Sequence, residues 1–188
     1  MLPKDFGIMK RFSLIIAALV FSASLMAQPF PTVFKSVQIT GSYKAVAKQL
    51  KAEGFTTSYE GNDYFNCMYE GVKLLAIVKI NEDIDQVCSL TLRRSDIERD
   101  SADKVSENFN ALCEKFEKEL KYTPDRTNKK SNGAASFDPN ISIGMVYKAK
   151  FYQDGDPNRL VELTIRRYQV KYHYIEINYI NCYNQGKI

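Results

Sequence analysis

The stretch 55-FTTSYEGNDYFNCMYEGVKLLAIVKINEDIDQVCSLTLR-93 decides the fold. It holds four segments rich in β-branched and aromatic residues, 55–60, 64–70, 72–80 and 86–93. Gly61-Asn62-Asp63, Gly71 and Asn81-Glu82-Asp83 separate them. Apolar and polar residues alternate within the segments, the signature of strands bounded by turns. A parallel pair needs a crossover of about a dozen residues or more, so connections this short predict an antiparallel meander.

The flanks add two helices and a second set of strands. Residues 37–40 alternate and predict a short first strand. Ser42 is placed to cap a helix whose stripe is Tyr43, Val46, Ala47 and Leu50, with Gly54 just past its end. Asp100 or Ser101 opens a second helix with the stripe Val105, Phe109, Leu112, Cys113, Phe116 and Leu120, stopped by Pro124. Residues 125–140 are polar and predict a mobile surface loop. Strands follow at 143–152, 160–167 and 172–183, the first two joined by the turn at 154–158. The order β-α-ββββ-α-βββ predicts an α+β fold, two long helices packed in two layers on antiparallel meander sheet. It divides into half-units of about 36–95 and 100–188 within one domain, 28–188. Leu90-Thr-Leu-Arg-Arg94 and Leu163-Thr-Ile-Arg-Arg167 echo each other and suggest a degenerate tandem repeat.

The N-terminus reads as an address. Lys4, Lys10 and Arg11 precede the apolar run 14–21 (LIIAALVF), and small residues lead to Ala27. This predicts a signal peptide over 1–27 and an exported protein, periplasmic or extracellular, that meets the membrane only during export. Cleavage there removes Lys4, Asp5, Lys10 and Arg11 and leaves a nearly neutral chain. Of the 188 residues 45% are hydrophobic and 26% charged, which excludes a disordered tail, and no basic patch points to nucleic acid.

Several motifs together resemble a family of exported, functionally uncharacterised proteins of Bacteroidetes. They are Ile39-Thr-Gly-Ser42, Leu50-Lys-Ala-Glu-Gly-Phe55, the strand ending Tyr69-Glu-Gly71, the long helix running into Lys121-Tyr122, and the last strand ending Tyr183-Asn184. The family's fold is similar to the α-β4 unit doubled in periplasmic β-lactamase-inhibitor proteins. The resemblance implies helices on an antiparallel sheet and no assigned enzymatic activity. Asp100-Ser101-Ala102 also matches an O-glycosylation signal of such exported proteins, which makes Ser101 a candidate acceptor; helix capping is the alternative role for the same residue.

Few residues point to chemistry. Cys67, Cys88, Cys113 and Cys182 are even in number, and an oxidising compartment permits disulfides. Three full pairings exist; Cys88–Cys113 is favoured because a strand and its covering helix share a core. No C-x-x-C spacing suggests a redox or zinc site, and His173 is the single histidine, so the expectation is no metal and no cofactor. Asp154-x-Asp156-x-Asn158 imitates the start of a calcium loop, but Arg159 and Ile165 occupy the positions that need Gly and Glu. No phosphate loop, dinucleotide fingerprint or catalytic pair stands out, so no catalytic residue is assigned.

The sheet's outward face is the candidate binding surface. If Val161, Leu163, Ile165, Ile175, Ile177 and Tyr179 face the helices, then Tyr64, Met68, Tyr152, Arg166, Tyr172 and Tyr174 face away. Tyr, Arg and Met are enriched at interaction surfaces. The expected function is a non-enzymatic binding module for a protein, peptide or glycan. The alternatives are a small exported hydrolase with a dispersed active site and a structural envelope protein.

Overall fold

A computed structural model describes residues 30–59, 61, 63–69, 72–94, 101–138, 140–169 and 172–185. The expected signal peptide lies outside this set, as do Asp100 and the turn residues Asn62 and Gly71. Contacts group Pro31–Ile188 into one compact unit.

Helix α1 spans Tyr43–Ala52. The Ser42 side chain accepts a hydrogen bond from the Ala45 amide, and Val46 and Leu50 are buried. The helix stops where Gly54 takes φ +88° and the Phe55 amide turns back to the Leu50 carbonyl at 3.0 Å. Helix α2 spans Ala102–Lys118, capped by Ser101 and burying Val105, Ser106, Phe109 and Phe116. Beyond it Lys121 adopts φ +57°, and the Tyr122 amide donates to the Phe116 carbonyl at 2.9 Å.

The expected first strand is a two-stranded hairpin, β1 (Val33–Phe34) and β2 (Val37–Gln38), separate from the main sheet. The main sheet holds β3 (Thr56–Thr57), β4 (Tyr64–Tyr69), β5 (Val72–Asn81), β6 (Gln86–Arg94), β7 (Thr123–Pro124), β8 (Gly144–Tyr152), β9 (Arg159–Gln169) and β10 (Tyr172–Asn181). Their spatial order is β3-β4-β5-β6-β10-β9-β8-β7, and every pairing is antiparallel. The chain is therefore α+β, with helices on one antiparallel sheet. Two meanders meet at a β6–β10 seam, where Leu92 pairs with Ile177 and Leu90 with Tyr179. Both outer edges, β3 and β7, are two residues long, and β7 contains Pro124. Short, proline-bearing edges discourage pairing with another chain.

The doubled topology is real at the level of strand order, since each half runs helix then four strands outward-to-centre. The sequence echo does not mark it. Leu90–Arg94 lies in β6, whose counterpart is β10, whereas Leu163–Arg167 lies in β9. The two pentapeptides resemble each other because both fill well-covered strands.

The helix-facing core includes Phe65, Leu90, Leu92, Val161, Leu163 and Ile165, each at most 3% exposed. Aromatic contacts bind α2 to the far strands: Phe116 packs on Phe151 at 5.4 Å and Phe109 on Tyr147 at 5.5 Å. Where composition predicts a loose loop at 125–140, side chains stitch the backbone down. Asn128 pairs reciprocally with the Lys150 amide and carbonyl, and Asn110 does the same with Ser131. The Ser131 and Ser106 hydroxyls meet at 2.9 Å, and Phe137 is buried.

Candidate binding cleft

Strand alternation places Val72, Leu74, Leu92, Ile175, Ile177 and Tyr179 on the helix-facing side of the three central strands. From α2, the residues Asn108, Leu112, Lys115 and Phe116 look toward the same strip. Helix and sheet do not close over it. They leave a cleft of about 680 Å³ lined by these residues and by the β1 hairpin. That volume falls within the roughly 300–1,000 Å³ common to small-molecule sites.

One end is a built polar wall. The Gln153 amide donates to the Val33 carbonyl and to the Tyr122 hydroxyl, and its oxygen accepts from the Val33 amide at 2.8 Å. Arg159, 9% exposed, donates to Asp154, to the Gln153 oxygen and to the Pro31 carbonyl. Burial raises the Tyr122 pKa, so its hydroxyl stays neutral. Phe34 packs against Tyr179 at 5.2 Å beside this wall. The other end carries Arg94 and Asn108. The described lining residues include the bases Lys35, Arg93, Arg94, Lys115 and Arg159 and the acid Asp154.

The expected outward surface is placed differently. The register puts Tyr64, Met68, Tyr152, Arg166, Tyr172 and Tyr174 on the face opposite the helices. They do not gather into one patch. Three inter-strand steps, about 14 Å, separate β4 from β10. Between them lies a polar network: Thr91 donates to Asn178 at 2.7 Å, and Arg166 and Asn178 both reach the Glu176 carboxylate. Tyr152 donates its hydroxyl to Asp125 at 2.7 Å, which raises the Tyr152 pKa. Met68 stands 60% exposed, while Tyr172 and Tyr174 are half-buried.

All four cysteines are free thiols, so the favoured Cys88–Cys113 bridge is not formed. Strand β6 bulges against β5 between its pairings Lys79–Ser89 and Ile80–Val87, and Cys88 is the extra residue, its thiol on the Lys79 carbonyl. The bulge breaks the alternation that would have aimed Cys88 at the helix. Cys113 lies beside Tyr147 of β8, beyond β10 and β9. Burial, helped by Glu117 and Glu114, pushes the Cys113 thiol up to about 12. Burial also raises Cys182. Ser101 caps α2, with its hydroxyl accepting from the Lys104 amide at 3.2 Å. His173 is 6% exposed, and its Nε2 accepts from Arg167 Nε at 3.2 Å.

Among the described residues no group of three His, Cys, Asp or Glu side chains is placed to hold a metal, and no helix is long and apolar enough to cross a membrane. Among the described residues the carboxylates with shifted pKa values, Glu53, Glu114 and Asp125, move down. Hydrogen bonds from Ser36, Lys118 and Thr127 are the main causes, and none of the three lines the cleft. No family model, curated protein or solved structure matches the chain.

The inner stripe of α2 has the spacing of a core stripe, because a stripe that meets a sheet and one that faces a cleft are spaced alike. One signal was available. Arg94 follows Leu90 and Leu92 at alternate positions, so a charge stands where the pattern calls for an apolar residue.

Proposed function

We propose that the chain is an exported, non-catalytic binding protein whose site is the cleft between α2 and the centre of the sheet. The observation that carries this is the cleft itself: an apolar strip on three paired strands, walled at one end by a satisfied polar cluster and left uncovered by the helix. A core of ordinary packing density would have closed it. Export rests on the charged start, the apolar run 14–21 and Ala27.

The test is titration with an apolar fluorescent reporter. One reporter should bind per chain with enhanced emission. Leu112→Trp, which fills the cleft from the helix, should remove binding while leaving the thermal transition in place; Ile177→Phe repeats the test from the sheet. Unchanged binding in both folded variants would sink the reading.

A second reading keeps the outward sheet face as a docking surface for a protein, peptide or glycan. Its support is the register that puts Tyr172 and Tyr174 on the same face of the sheet as exposed Met68, three strands away. The Tyr172→Ala/Tyr174→Ala double variant separates the two: it should leave reporter binding intact if the cleft is the site.

A further inference from the structure

We infer that the ligand of this cleft is an uncharged, elongated apolar molecule with a carbonyl oxygen at one end, its body along Leu92, Leu112 and Ile177 and its carbonyl on the Tyr122 hydroxyl. The inference rests on the cleft reading above and adds the chemical class. Three observations support it.

The first is the hydrogen-bond inventory of the walled end. The Val33 amide donates to the Gln153 side-chain oxygen at 2.8 Å, and the Val33 carbonyl accepts from the Gln153 side-chain nitrogen. Arg159 donates to the same Gln153 oxygen at 3.3 Å. These partners fix which end of the amide is oxygen and which is nitrogen. The second N–H of Gln153 donates to the Tyr122 hydroxyl at 2.9 Å. Tyr122 is therefore the acceptor in that bond, and its own hydrogen remains to be given. Among the described residues no acceptor meets it. Burial raises the Tyr122 pKa, so the hydrogen is kept at neutral pH.

The second is what such a hydrogen selects. Tyr122 lines the cleft, so a ligand there meets a donor that wants an acceptor. A carbonyl oxygen accepts and brings no hydrogen of its own. A donor-only head, such as an ammonium, would set hydrogen against hydrogen. The neighbouring Arg159 guanidinium is already paired with Asp154, so an acidic head finds no unengaged cation at this wall. One phenolic hydrogen does not offset the cost of taking a carboxylate out of water.

The third is shape. The apolar strip starts at the wall, where Tyr179 packs on Phe34 at 5.2 Å, next to the Val33 that Gln153 holds. It runs along β10 from Tyr179 to Ile175, a span of about 13 Å at roughly 3.3 Å per residue. Aliphatic side chains line it from the sheet (Leu92, Ile177) and from the helix (Leu112). A narrow strip between a strand and a helix suits an extended chain better than a fused ring.

Displacement of the apolar reporter from the full chain, as its expression host processes it, tests the class. The probes are methyl heptyl ketone, nonyl chloride and nonanoate. The expected result is competition at one site per chain. Tyr122→Phe keeps the ring and removes the donor; it should weaken the ketone about fivefold and leave the chloride unchanged. A second measurement does not depend on that variant folding. With its carbonyl isotope-labelled, the ketone bound to the unaltered chain should show a carbonyl stretch at lower frequency than in heptane. An equal effect of Tyr122→Phe on ketone and chloride, or a bound stretch at the heptane frequency, overturns the carbonyl class and leaves the cleft reading standing. Nonanoate that displaces the reporter at lower concentration than the ketone overturns the uncharged class, again leaving the cleft. No saturable binding of the reporter or of any probe overturns the cleft reading as well, and binding insensitive to Leu112→Trp overturns both.

Discussion

His173 is a histidine used as a core residue. It packs against Phe137 with ring centroids 5.1 Å apart, accepts a hydrogen bond from Arg167 at Nε2, and therefore carries its proton on Nδ1, which is buried without a partner. Burial, with the Arg167 charge as the lesser cause, holds its pKa below the usual 6.5. Above 6.5 the folded and unfolded chains are both neutral at this residue, and its contribution is fully present. As pH falls through 6.5 the unfolded chain takes up a proton that the folded chain refuses, so stability drops until the depressed folded pKa is passed. It is the chain's single histidine, so the melting temperature should fall between pH 7 and pH 5 in the native chain and fall less in His173→Gln. Parallel slopes in the two proteins would refute the assignment. Cysteine is the counter-example for legibility. Composition made disulfides reasonable, but a one-residue bulge at Cys88 changed its direction, and bulges leave no mark in an alternation pattern.

The helices, the strands and their turns were legible because each is local: a cap, a stripe, an alternation. The segment 125–140 was not. A run of Ser, Asn, Lys and Asp looks the same whether those side chains face water or substitute for strand partners. Here Asn128 uses both ends of its amide on Lys150 and so extends the edge of β8 without adding a strand. Gly133 takes φ +57°, a backbone conformation in which side chains are strained, beside the Asp103 carboxylate of α2. Asn110 provides the second anchor, with two 2.9 Å bonds to the backbone of buried Ser131. Asn110→Ala leaves that amide and carbonyl without partners and should cost about 1–3 kcal/mol. Hydrogen exchange should show the Ser131 amide losing protection while α2 keeps its own. An unchanged Ser131 exchange rate would mean that the segment is held by Phe137 instead.

At the scale of the molecule, the step that local patterns cannot supply is which strand meets which. Two meanders could have remained separate sheets; they join because β6 and β10, each the last strand of its half, are apolar on the helix-facing side and pair along the seam. The same joining creates the cleft, since each helix covers its own half and the seam runs between. Seam and cleft should therefore respond differently to truncation. Leu90 is fully buried where β6 meets Tyr179 of β10, so Leu90→Ala opens a cavity in packed core and should cost about 2–5 kcal/mol. Leu112 is half-buried on the cleft, where space already exists, so Leu112→Ala should cost roughly 1–2 kcal/mol by area alone. Because the seam ties both halves into one sheet, Leu90→Ala should lower the stability of both together, with circular dichroism and the exchange of β4 and β8 amides reporting one transition. Separate transitions for β4 and β8 would show the halves to be independent units that only touch. In that case the cleft would be a gap between neighbours, and its volume would change when one half moves against the other.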